Sequence, residues 1–173
     1  DPSDLSTLWA DTAGTIPASV GGEVARVDDK SGNGHHVTQS VIAARPILRQ
    51  SGGLYYLEFD GIDDVLFSAS PFLWGMIQAG RGNITVAASI VADPLSANCV
   101  VMEGSHTTNN PSLFAIAKNT SNRFTSLLRD DAAASRVTLS TASLTIADGT
   151  PKVIGINDSY GSIVRRVNGV SET

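Results

Sequence analysis

The chain has 173 residues, 42% of them hydrophobic and 17% charged, and carries a net charge of −5. That length fits one domain over 1–173 and allows a sizeable buried core, and the hydrophobic share argues against a disordered segment. The acids are scattered, the only adjacent basic pair is Arg165-Arg166, and no apolar stretch reaches the ~20 residues of a membrane helix, so neither nucleic acid nor a membrane span is expected.

In chain order, Ser3 to Asp11 reads as a capped helical turn with Leu5, Leu8 and Trp9 on one side. Residues 14–22 read as loop. Ala25-Arg-Val27 reads as a short strand feeding the Asp28-to-Gly34 turn, and Arg45-Pro46-Ile-Leu48 as an extended segment set by its proline. Leu54 to Phe59 and Asp64 to Ser68 are strand-like runs flanking an Asp60-Gly61 turn, which predicts a hairpin there. Pro71 to Ala79 is the one predicted helix, opening on proline and stopping at Gly80. Asn83 to Ala92 alternates most cleanly as a strand. Further strands are predicted at Asn98–Met102, Ser112–Lys118, Arg123–Arg129, Arg136–Leu139, Lys152–Asn157 and Ile163–Val167, each bounded by turn formers.

Many short strands with close turns predict an all-β, two-sheet antiparallel sandwich or barrel. At the end, Asn168-Gly169 predicts a tight hairpin turn with only Val170 to Thr173 left for the return strand. An edge left unpaired is an aggregation hazard. The expectation is therefore either a fragment of a longer chain or a sheet completed by another chain or subunit.

Two acid-rich turns carry the candidate chemistry. Asp29-Lys-Ser-Gly-Asn-Gly34 packs turn formers into a tight loop, and its Asp28, Asp29 and Asn33 offer oxygens of the kind Ca²⁺ collects. Phe59-Asp60-Gly-Ile-Asp63-Asp64 places three carboxylates in five residues. Such acids must be solvated, capping, or shared by a cation. Glu58-Phe-Asp60-Gly-Ile-Asp63 also echoes the spaced acids of jelly-roll glucanases, but Gly61 interrupts the strand and Asp63 stands where a third Glu is needed. His35 and His36 are adjacent, which on a strand sends them to opposite faces and prevents shared metal binding. No nucleophile elbow accompanies any histidine.

Cys99 is the sole cysteine, so an intrachain disulfide is excluded. Asn83, Asn119 and Asn157 fit the glycosylation triplet, which matters only in a eukaryotic secretory pathway. Sugar binding needs an exposed aromatic ring beside polar groups. Tyr55 and Tyr56, adjacent on a strand, must split between faces, and Trp74 reads as core. His106 and Asn109 lie in a polar 104–110 segment read as a loop that rims a ligand.

The Asp29-to-His36 turn followed by Gly52-Gly-Leu-Tyr-Tyr-Leu-Glu-Phe-Asp-Gly61 resembles the entry of a laminin-G-like, concanavalin A-type jelly roll, over roughly residues 20–169, with its specific motifs confined to 29–64. The resemblance implies a jelly-roll sandwich of the kind found in bacterial and bacteriophage surface or virion proteins. It implies a non-catalytic carbohydrate-binding or adhesion module, extracellular or on a virion, with a glycan or cell-surface polysaccharide as partner. It also implies calcium near sheet-edge loops, with Asp60, Asp63 and Asp64 as ligands by that likeness. A structural assembly module and a glycan hydrolase or lyase are the other functions this fold hosts.

Overall fold

A computed structural model describes residues 2–68, 84–94, 99–106, 110–129, 135–159 and 162–172. The predicted 71–79 helix with Trp74, and Asn109 of the predicted rim, lie outside the described residues. What is described is all-β with antiparallel sheets, none of them closed, and 3-10 turns as its helical content. The chain divides into two compact units, Asp1–Pro71 and Phe72–Thr173.

The first unit opens on a 3-10 turn over Leu5–Thr7, capped by Asp4, whose Oδ1 accepts the Ser6 N–H. The predicted capped turn is thus present. Strands β1 (Leu8–Trp9), β2 (Arg26–Val27) and β3 (Val37–Thr38) form one small sheet, and β4 (Ile47–Ser51) with β5 (Leu54–Glu58) forms a hairpin. Leu8, Val24 and Leu48 are fully buried, with Ala18, Val27, Tyr55 and Leu57 packed against them. Strands this short supply few ladder bonds, so side chains tie the sheet to its loops. Arg26 donates from Nε to Asp28 and from Nη1 to the Thr12 and Ala13 carbonyls. Gly14 sits at φ +77°, and a Cβ there would lie 3.1 Å from the Arg26 guanidinium carbon. The buried Gln39 accepts the Val41 N–H and donates to the Val65 carbonyl, so both ends of its amide are satisfied.

One expected pairing differs. The 54–59 strand does not pair with 64–68 across Asp60-Gly61. It pairs backward with β4 across Gly52-Gly53, whose φ values of +58° and +81° match the two-glycine turn that follows strand twist. Phe67 makes a lone bridge to Thr38 instead. The β4–β5 ladder was the better use of the apolar alternation, because it turns Leu48 and Leu57 into the core together.

In the second unit, β7 (Cys99–His106), β8 (Asn110–Lys118), β9 (Arg123–Arg129) and β10 (Ser135–Thr145) form a four-stranded meander. Strands β6 (Ile84–Ile90), β11 (Lys152–Ser159), β12 (Ser162–Val167) and β13 (Val170–Glu172) form a second sheet in the order β13-β12-β11-β6. Ile116 and Phe124 from the meander, Ile146 just beyond it, and Ile154, Ile156 and Val167 from the second sheet share one buried cluster. The period-2 alternation is visible in β11, where Ile154 and Ile156 are buried and Val153 is exposed. The hairpin at Asn168-Gly169 is present, with φ of +49° and +83° and Val167 opposite Val170. The 104–110 segment expected as a loop is instead strand at both ends: β7 continues through His106, and β8 begins at Asn110. The side chain of His106 lies outside the described set.

Arg165 is fully buried on β12, with its guanidinium carbon 6.0 Å from the Phe124 ring centroid and Nη1 donating to the Phe124 carbonyl. The buried guanidinium thus meets an aromatic face and a backbone carbonyl in place of water.

Leu48→Ala should cost about 2–5 kcal/mol of stability through lost burial and the residual cavity. Leu54→Ala, at a side chain 72% exposed, should stay within about 0.5 kcal/mol. Chemical denaturation followed by circular dichroism compares the two. Gly14→Ala should cost about 1–2 kcal/mol, because alanine disfavours positive φ and its methyl meets Arg26.

Candidate functional site

The alternation of β5 separates the tyrosines. Tyr55 lies on the inner face against Leu8, Val24 and Leu48, while Tyr56 faces outward and is 44% exposed. Across the ladder, Arg49 stands opposite Tyr56, and Ile47 opposite Glu58. Arg49 Nε donates to Glu58 Oε2, an exposed ion pair that closes one side of the Tyr56 position. Leu54 shares this outward face one pleat away. The result is an aromatic ring flanked by one cation, one anion and one apolar side chain, on a regular hairpin.

Directly after β5 comes the Phe59–Asp64 turn. Gly61 takes φ +76°, which lets the chain fold sharply. Asp60 Oδ1 accepts the N–H groups of Ile62, Asp63 and Asp64, at 2.8, 3.3 and 3.4 Å, and Asp64 Oδ2 accepts the Asp60 N–H at 2.8 Å. Ligand oxygens of Asp60, Asp63 and Asp64 lie within 4.8 Å of one another. The Ile62 N–H, with its neighbours, holds the Asp60 carboxyl below the usual range. Asp64 moves the other way: partial burial raises its pKa first, and the charges of Asp60, Asp63 and Glu58 add to that. Among the described residues no donor reaches the Asp63 carboxylate, Asp60 Oδ2 or Asp64 Oδ1. Those oxygens are available to a hard cation, which takes 6–8 oxygen ligands. For glycoside chemistry the set is poorly suited. Glu58 is paired with Arg49 and Asp60 is spent on backbone amides, whereas a general acid must be held protonated.

The other acid-rich turn is built differently. Asp29 Oδ1 accepts the Ser31 N–H, while Oδ2 accepts the Ser31 hydroxyl and the His35 N–H, so both oxygens close the loop. These bonds, the Ser31 hydroxyl foremost, hold the Asp29 carboxyl well below its ordinary value. Asn33 points its Nδ2 at the Ser31 hydroxyl. Asp28, next door, binds the Trp9 indole N–H and Arg26, and His36 Nδ1 lies 2.9 Å from its Oδ1. Burial works against the Asp28 charge, but the Trp9 and Arg26 hydrogen bonds outweigh it and keep the carboxyl low. His36 Nδ1 also accepts the Asp29 N–H at 3.1 Å. This network was not visible in the sequence, since its Trp9–Asp28 bond joins residues 19 apart; the tryptophan before a turn rich in Asp and His was the available signal.

The sequence-predicted residues therefore fall in several places. Tyr56 adjoins the 60–64 carboxylates along the chain, Tyr55 lies in the core behind it, Asp29 and Asn33 belong to a separate loop, and His106 lies in the second unit. No protein-family model, curated protein or solved structure matches this chain.

The carboxyl shifts have a definite sign in pH. Asp4, Asp11 and Asp148 are held at about 2, chiefly by Lys30, by the Ile16 N–H and by Lys152 respectively, against an ordinary 3.8. A depressed carboxyl adds stability above its unfolded value and loses it as pH falls towards its folded one. Stability should therefore drop between about pH 4 and pH 2. Asp64 opposes this trend, because a raised carboxyl costs stability once ionised. Asp64→Asn keeps the oxygen that accepts the Asp60 N–H and removes the repulsion. It should raise the melting temperature at neutral pH, with the gain shrinking in acid, as read by thermal scans across pH.

Proposed function

We propose that this chain is a non-catalytic carbohydrate-binding or adhesion module. The observation that carries the reading is the outward face of the β4–β5 hairpin, where Tyr56 is exposed opposite Arg49 and beside the Arg49–Glu58 pair. A flat sugar face stacks on such a ring while its hydroxyls meet charged and amide groups nearby. The all-β antiparallel architecture is compatible with the jelly-roll sandwich on which many sugar binders are built, and fold alone leaves function to the site. A bacterial, phage-virion or other extracellular surface is the setting in this reading.

Calcium is the proposed auxiliary ion. Its ligands would be Asp60, Asp63 and Asp64, where three carboxylates converge and oxygens remain unused by the turn. Bound there, it would favour the ionised form of Asp64, which burial first and the neighbouring carboxylates second disfavour, and would fix the turn beside the sugar-facing strand.

A second reading, an assembly module without a small ligand, draws on exposed apolar side chains in the same region: Leu54, Phe59 and Ile62, the last 86% exposed. Apolar surface of this kind is a common mark of protein contacts.

Glycan-array binding separates the readings. Wild-type protein should bind a defined glycan set, and Tyr56→Ala should lose at least tenfold in affinity, about 1.4 kcal/mol. Chelation by EDTA should weaken binding if calcium assists, and Asp63→Asn should then mimic chelation. A folded wild-type protein that binds no glycan overturns the carbohydrate reading and leaves the assembly one.

A further inference from the structure

Asn-Gly, the dipeptide most prone to spontaneous deamidation because glycine leaves the following amide unshielded, occurs twice in this chain, at Asn33-Gly34 and Asn168-Gly169. The two are equivalent as sequence and quite different in the fold.

Asn168 is held on every side that matters. Its Oδ1 accepts the Val153 N–H and its own N–H donates to the Val153 carbonyl, both at 2.8 Å. Its φ of +49° belongs to a tight turn whose flanks, Val167 and Val170, are paired. Bringing Asn168 Cγ onto the Gly169 nitrogen would break the side-chain bond to β11 and disturb the β12–β13 ladder.

Asn33 has no comparable hold. It is exposed, and among the described residues its hydrogen bonds run only to the Ser31 hydroxyl two residues away, 3.3 Å from the backbone N and 2.9 Å from Nδ2. Gly34 is exposed, sits at φ +76°, and has open space where a Cβ would stand. Among the described residues no acceptor takes the Gly34 N–H. Rotation of the Asn33 side chain onto that nitrogen costs one local hydrogen bond.

We infer that Asn33 is a self-modification site, at which the folded protein deamidates in preference to Asn168. The Gly34 amide nitrogen gives up its proton and attacks Asn33 Cγ. The Cγ–Nδ2 bond breaks, and Nδ2 leaves as ammonia carrying that proton. Water then opens the resulting succinimide at either carbonyl, giving aspartate or isoaspartate. No redox partner is needed.

The consequence is local. The new carboxylate faces the Ser31 hydroxyl, whose proton is committed to Asp29 Oδ2 at 2.6 Å, so it loses the donor role that Asn33 Nδ2 played. It also brings negative charge close to that of Asp29. The isoaspartate product lengthens the backbone by a methylene within the loop. Both changes loosen the 29–35 closure and expose the peptide bond after Lys30.

The test holds the intact folded protein at mildly alkaline pH and follows both sites by peptide mapping with mass spectrometry and isoaspartate detection. Conversion at Asn33 is expected several-fold ahead of Asn168. Conversion at Asn168 equal to or ahead of Asn33 overturns the inference, as does an Asn33 that stays intact while a free peptide of residues 29–36 converts. Asn33→Gln should abolish the mass change at this site. Asn33→Asp should be cut after Lys30 by trypsin several-fold faster than fresh wild type; equal rates would remove the proposed effect on the loop.

Discussion

A short acidic side chain accepting backbone N–H groups a few residues ahead of it closes five of the turns among the described residues. Asp4 caps the first 3-10 turn, Asp11 takes the amides of Thr15 and Ile16, and Asp29 takes those of Ser31 and His35. Asp60 takes three amides in succession, and Asp148 takes that of Thr150. A protein made of short strands reverses direction often, and each reversal strands donors that helix or ladder cannot serve. The carboxylates meet that need in solvent-facing positions where their charge stays hydrated. Five of the chain's 17 acidic side chains are thereby engaged in building turns.

That observation changes how acid-rich motifs in such a chain should be weighed. The loop around Asp29 uses both carboxylate oxygens internally, whereas the 60–64 turn gathers more carboxylate than its amides consume. The surplus is what distinguishes a turn with coordinating capacity from a turn that is merely closed. Asp60 and Asp64 are displaced in opposite directions, Asp60 downward by the amides it accepts and Asp64 upward by burial and then by its acidic neighbours.

The sequence was most legible where a local rule sufficed. The hairpin at Asn168-Gly169 and the strand bounds at Arg123–Arg129 are present as expected, and a strand over Ile84–Ile90 lies within the expected Asn83–Ala92. It was least legible where pairing had to be chosen among competitors. Leu54–Glu58 was flanked by two glycine-bearing turns, and Asp60-Gly61 looked the stronger signal, yet the ladder formed across Gly52-Gly53. Burial decided it, since only that pairing sets Leu57 beside Leu48. Nor could local pattern place Lys118 and Arg165 in the interior, because charged residues are rarely buried and their surroundings are assembled from distant strands. In the candidate site, the outward placement of one tyrosine followed from pleat geometry, while which of the two faced outward required the register.

Register, then, is what decides the identity of the surface on the β4–β5 hairpin. Because neighbouring residues alternate between faces, a turn longer or shorter by one residue at Gly52-Gly53 would exchange the roles of Tyr55 and Tyr56, carrying Leu54 inward and Leu57 outward. The displayed ring is therefore specified by the length of a two-glycine connection as much as by any residue on the strand. Variation confined to that connection would remodel the exposed face while leaving every tyrosine in the sequence intact.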